Sequence, residues 1–197
     1  VKQQSNPTKA AKSKGIFQIS LVFKVTALIA ICIACVSAIS NLIIFNLSYG
    51  ALKEEIKKNL IMLASNATVA IDAEKLATIK SEEDEGNEAY SEIQKKLQEI
   101  KEASGNKLRY VYTLAKTNDP EKRYIYVVDA TPIEDEDNHS TIGERFSEEE
   151  YPEVIKGFEA ATAEGAPMED EKYGGEIQTG YAPIRNKDGQ VVGVLAV

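Results

Sequence analysis

The feature that most constrains this chain is an uncharged apolar run of 21 residues, Val25 to Phe45 (VTALIAICIACVSAISNLIIF). Wound as a helix, it rises about 30 Å, roughly the hydrocarbon thickness of a bilayer. Charge differs sharply on its two sides. Residues 1–53 hold six lysines and no acid, and five of those lysines precede the run, whereas residues 54–197 hold 17 basic and 31 acidic residues. Lysine accumulates on the cytoplasmic side of a spanning helix. The expected organisation is a cytoplasmic N-terminal tail and membrane-flanking segment over 1–24, a transmembrane helix over 25–45 and an extracytoplasmic domain over 46–197, with the protein in the cell membrane.

A cleaved signal peptide is the competing reading, but its apolar region usually spans about 7 to 15 residues, and this one is longer. Cys32 and Cys35 fall inside the run. A redox or zinc C-x-x-C pair needs cations, a helix amino terminus or a second pair of ligands beside it. Here the two read as small, polarisable packing residues. No cysteine lies beyond the run, so the outer domain folds without disulfides. The chain opens on Val1 and closes on Val197 inside a strand pattern. It reads as a segment of a longer protein, with about 150 residues past the anchor, enough for one domain with a core.

Past Phe45, the residues Leu52, Ile56, Leu60, Leu63, Ala67 and Ile71 recur every three to four positions, and no proline falls between Val25 and Ile71. The spanning helix is therefore expected to continue outward as one rod, followed by a short turn capped by Asp72. Ser81 and Asp84 resemble a capping box ahead of the stripe Tyr90, Ile93, Leu97 and Ile100, which predicts a second helix before Gly105. From Leu108 the period becomes that of strands. LRYVYTLA and RYIYVVDA flank a turn at Asn118-Asp119-Pro120, and EIQTGYAPIR and VVGVLAV flank Asp188-Gly189, which predicts two antiparallel pairs. Between them, Ser147 and Glu150 suggest a capping box for a helix with Val154, Ile155 and Phe158 on its apolar side, ending before Gly165. The preceding stretch, 131–146, reads as an exposed loop, where binding specificity tends to reside.

Several residues carry a likeness to a known family: Tyr110-Val111-Tyr112-Thr113, Tyr124-Ile125-Tyr126-Val127-Val128-Asp129, Ile142-Gly143, Gly180-Tyr181-Ala182-Pro183-Ile184 and Asp188-Gly189-Gln190-Val191-Val192-Gly193-Val194. In this order, behind a spanning helix, the pattern resembles the extracytoplasmic Cache sensor domain of bacterial chemoreceptors and related transmembrane sensors. The resemblance covers residues 50–197 and is to the single rather than the double form. It implies an α+β fold in which the long helix packs along one face of a PAS-like antiparallel sheet, with a small-molecule pocket on the other face. It also implies a second spanning helix and a cytoplasmic output module after the last strand.

Candidate ligand-binding residues are Tyr110, Tyr112, Tyr126, Asp129, Tyr173 and Tyr181. Tyrosine offers a ligand a flat apolar wall and an orienting hydroxyl, and it equally completes a core edge. Asp129 closes its strand just before the long loop, where amine-binding relatives of the family often present a carboxylate. Strict alternation places it with Ile125 and Val127, opposite Tyr126, unless a bulge intervenes; otherwise it caps the loop. The arginine, tryptophan and tyrosine signature of amino-acid-binding double Cache domains is missing.

Other candidates read as bland. His139, the only histidine, sits in an acidic surface stretch without a second imidazole, so no metal is expected there. Glu134 to Asp137 lacks the alternation and glycine turn of a calcium loop. Gly174-Gly175-Glu176 superficially resembles a diguanylate cyclase signature, which Ile177 and Gln178 break. No nucleophile–base pairing or phosphate-binding glycine loop is visible, so neither catalysis nor a cofactor is expected in this segment. The expected function is extracytoplasmic small-molecule sensing by a homodimeric transmembrane receptor, most often serving chemotaxis in this family, with no nucleic-acid partner. Alternatives are the sensor region of a histidine kinase or cyclic-nucleotide cyclase, and an anchored module whose acidic face binds a protein.

Overall fold

A computed structural model describes residues 20–105, 107–170 and 174–197. Helix α1 runs unbroken over Leu21–Thr68, 48 residues. The chain divides into two compact units, with the boundary between Tyr49 and Gly50. The first unit carries the apolar part of α1, which has the length and composition to cross a membrane and buries none of its most apolar window. Its polar side chains turn back on the helix, with Thr26 Oγ1 donating to the Val22 carbonyl and Asn46 Nδ2 to the Leu42 carbonyl, each at 2.9 Å. Such back-bonding satisfies groups that hydrocarbon cannot.

The second unit begins with the rest of α1, whose predicted apolar face becomes buried only gradually. Leu52 and Ile56 stay exposed, Leu60 and Leu63 are half-buried, and Ala64, Ala67 and Ile71 enter the core. The turn at Asp72 is as expected: its carboxylate accepts the amides of Glu74 and Lys75 and starts the single-turn helix α2, Ala73–Leu76. The next start signal falls differently. Ser81 and Asp84 do form a capping box, but it begins one 3-10 turn, Glu82–Asp84. Gly86 then takes a positive φ of 77°, and Asn87 caps α3, Glu88–Ala103, which buries Tyr90, Ile93 and Leu97. A glycine two residues after the box ends the turn, so the long helix needs a cap of its own.

The sheet has five strands in the order β2-β1-β7-β6-β3. Both predicted pairs are present: β1 (Tyr112–Lys116) with β2 (Tyr124–Asp129), and β6 (Gly180–Arg185) with β7 (Val191–Ala196), and β1 and β7 join them antiparallel. The short β3 (Thr162–Ala163) adds to β6, and a separate small hairpin is made by β4 (Met168–Glu169) and β5 (Glu176–Ile177). These two-residue elements carry too little periodicity to be read from sequence. The helix expected around Val154 shrinks to one turn, α4 (Val154–Gly157); Ser147 bonds Glu149 instead of capping, and Ile155 is exposed.

The two faces of the sheet are covered differently. Helices α1, α2 and α3 pack an aliphatic core on one side, where Val128, Ala182, Ile184 and Leu195 meet Leu76, Ile93 and Leu97. The other side carries Tyr112, Leu114, Tyr124, Tyr181 and Val194 beneath Phe146 and Val154 of the long excursion. That excursion also covers the β2 edge: the Tyr126 amide donates to the Glu144 carbonyl, and the Gly143 and Phe146 amides donate to the carbonyls of Tyr126 and Tyr124. An edge so paired is closed to strand addition.

Candidate ligand site

A one-residue irregularity in the sheet sets the geometry of the site. Tyr112 pairs with Asp129 and Thr113 with Val128, but Leu114 pairs with Tyr126, which leaves Val127 as an extra residue on β2. Val127 and Val128 therefore both enter the helix-side core, and the parity of the strand reverses after them. Asp129 emerges on the same face as Tyr126. The Thr113 hydroxyl supports the bulge, accepting the Val128 amide at 3.0 Å within the buried sheet.

On that face lies a cavity of about 530 Å³. Tyr112, Tyr126 and Asp129 form its sheet side, Asn138 and Ser140 come from the loop after β2, and Met168, Ile177 and Thr179 come from β4, β5 and the residues after them. The Tyr112 and Tyr126 rings are 5.0 Å apart and tilted by 56°; Phe146 stands 5.6 Å from Tyr126 and 5.3 Å from Tyr151, so a continuous aromatic row runs to Tyr151 at the cavity wall. Burial pushes the Tyr112 and Tyr126 hydroxyls well above the ordinary phenol range, and the nearby Asp129 carboxylate adds to that shift, so both remain protonated donors.

Asp129 is 4% exposed. Its Oδ1 accepts the Thr131 amide at 2.8 Å and its Oδ2 the Ser140 amide at 3.0 Å. The carboxylate thus holds the loop at Thr131 and Ser140 while lining the cavity. Gln94 of α3 reinforces the same turn by donating to the carbonyls of Asp129 and Thr131.

Of the other predicted residues, Tyr110 lines the cavity and donates to Asp170 Oδ2 at 3.2 Å, an oxygen that also lies 3.7 Å from Arg109 Nε. Tyr181 does not line it. This residue is fully buried under α4, where a Cβ on Gly157 would come within 2.7 Å of the Tyr181 Cβ, and its hydroxyl lies against the Glu164 carboxylate without a well-formed hydrogen bond. Tyr173 lies outside the described residues. Sequence reasoning missed Tyr151, Asn138 and Ser140, whose only signal is membership of the long excursion, and Thr179, which lies in the predicted strand segment before Gly180.

His139 differs from its expected surface setting. Its side chain is only 2% exposed, with Nδ1 2.8 Å from the Thr131 carbonyl and Nε2 3.1 Å from Glu85 Oε1. It ties the loop to the segment before α3. Among the described residues, no cluster of three or more His, Cys, Asp or Glu side chains could hold a metal ion.

A second, more apolar cavity of about 340 Å³ adjoins the first, sharing Tyr110, Tyr112, Ile177 and Thr179 with it and taking Ile56 and Leu60 of α1 as part of its wall. Close to it, a Cβ on Gly180 would fall 3.0 Å from the backbone of Leu60, so β6 and α1 are in near contact through a missing side chain.

The fold is an α+β domain with helices on one face of an antiparallel sheet and a tyrosine-lined cavity on the other, which is the class of fold expected from the sequence. No protein-family model matches the chain, and no curated protein matches it. Among solved structures it is similar to the periplasmic sensory domain of the Campylobacter jejuni chemoreceptor Tlp1, with 15% identity and a TM-score of 0.39, over 76% of this chain and 55% of that one. The chain therefore spans about half the length of that structure.

Proposed function

We propose that this chain is the anchor and ligand-sensing region of a transmembrane signal-transduction receptor, with the apolar part of α1 crossing the cell membrane and residues 46–197 outside it. The observation that carries the reading is the cavity on the face of the sheet away from the helices, walled by Tyr112, Tyr126 and Asp129 and adjoined by a second cavity that α1 itself lines. Its volume suits a small metabolite, and its mixed aromatic and polar wall suits selective binding. A bound solute would favour one arrangement of β1, the loop and α1, and α1 would carry that bias toward the membrane as a shift in helix position. The exposed Leu52 and Ile56 on α1 offer an apolar stripe for a second copy of the chain. Chemotaxis is the output that best suits this layout.

The test is thermal unfolding of the purified full chain in detergent across a panel of small organic acids, amines and amino acids. At least one class should raise the midpoint, by mass action on the folded state, and Tyr126→Leu should reduce the rise. A chain that responds to no member of the panel would instead support the reading of an anchored protein-interaction module.

A further inference from the structure

His139 lies in the wall loop of the larger cavity, between Asn138 and Ser140, which both line it. Its imidazole is buried, and the groups around it account for its hydrogens. The Thr131 carbonyl lies 2.8 Å from Nδ1 and accepts from Gln94 Nε2 at 2.9 Å. A carbonyl only accepts, so Nδ1 carries a hydrogen. Nε2 faces two oxygens of different kinds, with Glu85 Oε1 at 3.1 Å and the Tyr90 hydroxyl at 3.3 Å. An ionised carboxylate only accepts, whereas a hydroxyl can also donate. Burial, and then the Glu85 charge, hold the Tyr90 phenol well above its ordinary range, so Tyr90 keeps its proton. The remaining charges nearby come from β2 and from the loop itself. Asp129 accepts the Ser140 amide, Asp135 holds the Asn138 side chain and gives its carbonyl to the His139 amide, and Glu134, Glu136 and Asp137 are exposed.

We propose that His139 is a proton-dependent positioning residue for the cavity loop: protonated, it latches the loop to Glu85, and neutral, it exchanges Glu85 for Tyr90 and lets the loop loosen. In the arrangement present here both ring nitrogens face an acceptor. That requires one proton more than a neutral imidazole and an ionised carboxylate hold between them. With that proton, Nε2–H donates to Glu85 in a charge-assisted bond. Without it, the Nε2 lone pair repels Glu85 Oε1 and accepts the Tyr90 O–H instead. Glu85, whose side chain is 18% exposed, then turns to water. The neutral bond is roughly half as strong, and the tie between the loop and the segment before α3 is gone. Histidine changes charge between about pH 5 and pH 8, so the loop is held at the acid end of that range and loosened at the alkaline end. Because Asn138 and Ser140 flank His139, the cavity wall loosens with it. The latch needs no ligand, but its consequence for solute binding rests on the sensing role proposed above.

His139 is the only histidine, so nitrogen-15 histidine labelling of the full chain, purified without a histidine tag and held in detergent, yields a single titration curve. It is read beside hydrogen exchange of the loop amides, corrected for intrinsic rates. Across the histidine range, loop protection should fall about threefold to tenfold, the value of one charge-assisted bond exchanged for a neutral one, in step with loss of the Nε2 hydrogen. Glu85→Gln is the discriminating variant. Its amide donates to a neutral Nε2 and its oxygen accepts from a protonated one, so protection should change by less than about twofold over the same range. A merely structural contact would instead lose protection equally at every pH. Tyr90→Phe removes the second partner and should deepen the loss at the alkaline end alone. A parent loop equally protected at both ends, or a ring that never changes its proton count between them, would overturn the latch. The thermal panel run at both ends separates the two proposals: a switching latch with no panel response removes the sensing role alone, and a panel response over a loop of constant protection removes the latch alone.

Discussion

The two faces of the sheet are built for different tasks, and the contrast lies in what their side chains end in. On the helix side, Ile93, Leu97, Val128 and Leu195 end in methyl groups and are each 2% exposed or less. On the loop side, Tyr112, Tyr126 and Asp129 end in hydroxyls or a carboxylate, and they border an open volume rather than a packed one. One face supplies stability through close packing; the other gives up packing for a shaped, polar space. A single bulged residue, Val127, assigns Asp129 to the second face.

The contrast can be broken most severely on the helix side. Leu97→Ala opens a cavity under α3, and it should destabilise the folded chain by about 2–5 kcal/mol, measured by chemical denaturation, with ligand affinity of the surviving folded protein unchanged. A comparable substitution effect on affinity would blur the division. Next in size is Gly180→Ala, whose new methyl would press on the Leu60 backbone. It should cost about 1–3 kcal/mol through overpacking and alter the response of α1 to ligand; an unchanged denaturation midpoint would mean that α1 and β6 are looser than they stand here.

A pH dependence should come from the loop side. Burial raises the Glu164 carboxyl above its ordinary range, so the folded chain holds that proton more tightly than the unfolded chain does. The associated stability is present at acid pH and is lost as pH rises through the raised value. Glu164→Gln should therefore flatten the decline in unfolding midpoint between about pH 4 and pH 7, the range above an ordinary carboxyl. A slope identical to that of the parent chain would count against the burial. The smallest effect is expected at the rim, where Arg145 reaches Glu149 with both side chains largely solvated. Arg145→Ala should change stability by at most about 1 kcal/mol, and a larger loss would point to its longer contact with the buried Glu148.

Much of this was legible in the sequence, and the reasons are local. The stretch from Val25 to Ile71 contains no proline, and one continuous helix follows from it as far as Thr68, three residues short of Ile71. The alternation in Tyr124-Ile125-Tyr126 and the Asn186 to Gly189 turn give both strand pairs, the latter closed by Asn186 accepting two amides and Gly189 at a φ of 78°. What escaped were features decided by tertiary context. The side that Asp129 faces depends on the Val127 bulge, which sequence can allow but not place. Tyr181 carries the same residue type as Tyr126 and ends in the core because α4 closes over it through Gly157. His139 reads as a surface residue, yet its loop folds back to bury it against Tyr90 and Glu85.

The central claim, that the tyrosine face rather than the helix face receives a ligand, is tested most directly by ring resonances in the full chain labelled with carbon-13 tyrosine and held in nanodiscs. Tyr112 and Tyr126 mark one face and Tyr90 the other, and Tyr→Phe variants assign all three. Titration with the panel compound that most raises the unfolding midpoint should shift the Tyr112 and Tyr126 signals together and saturably, with Tyr90 unmoved. A probe that stabilises the chain while leaving Tyr112 and Tyr126 in place, or that moves Tyr90 alone, would contradict the account.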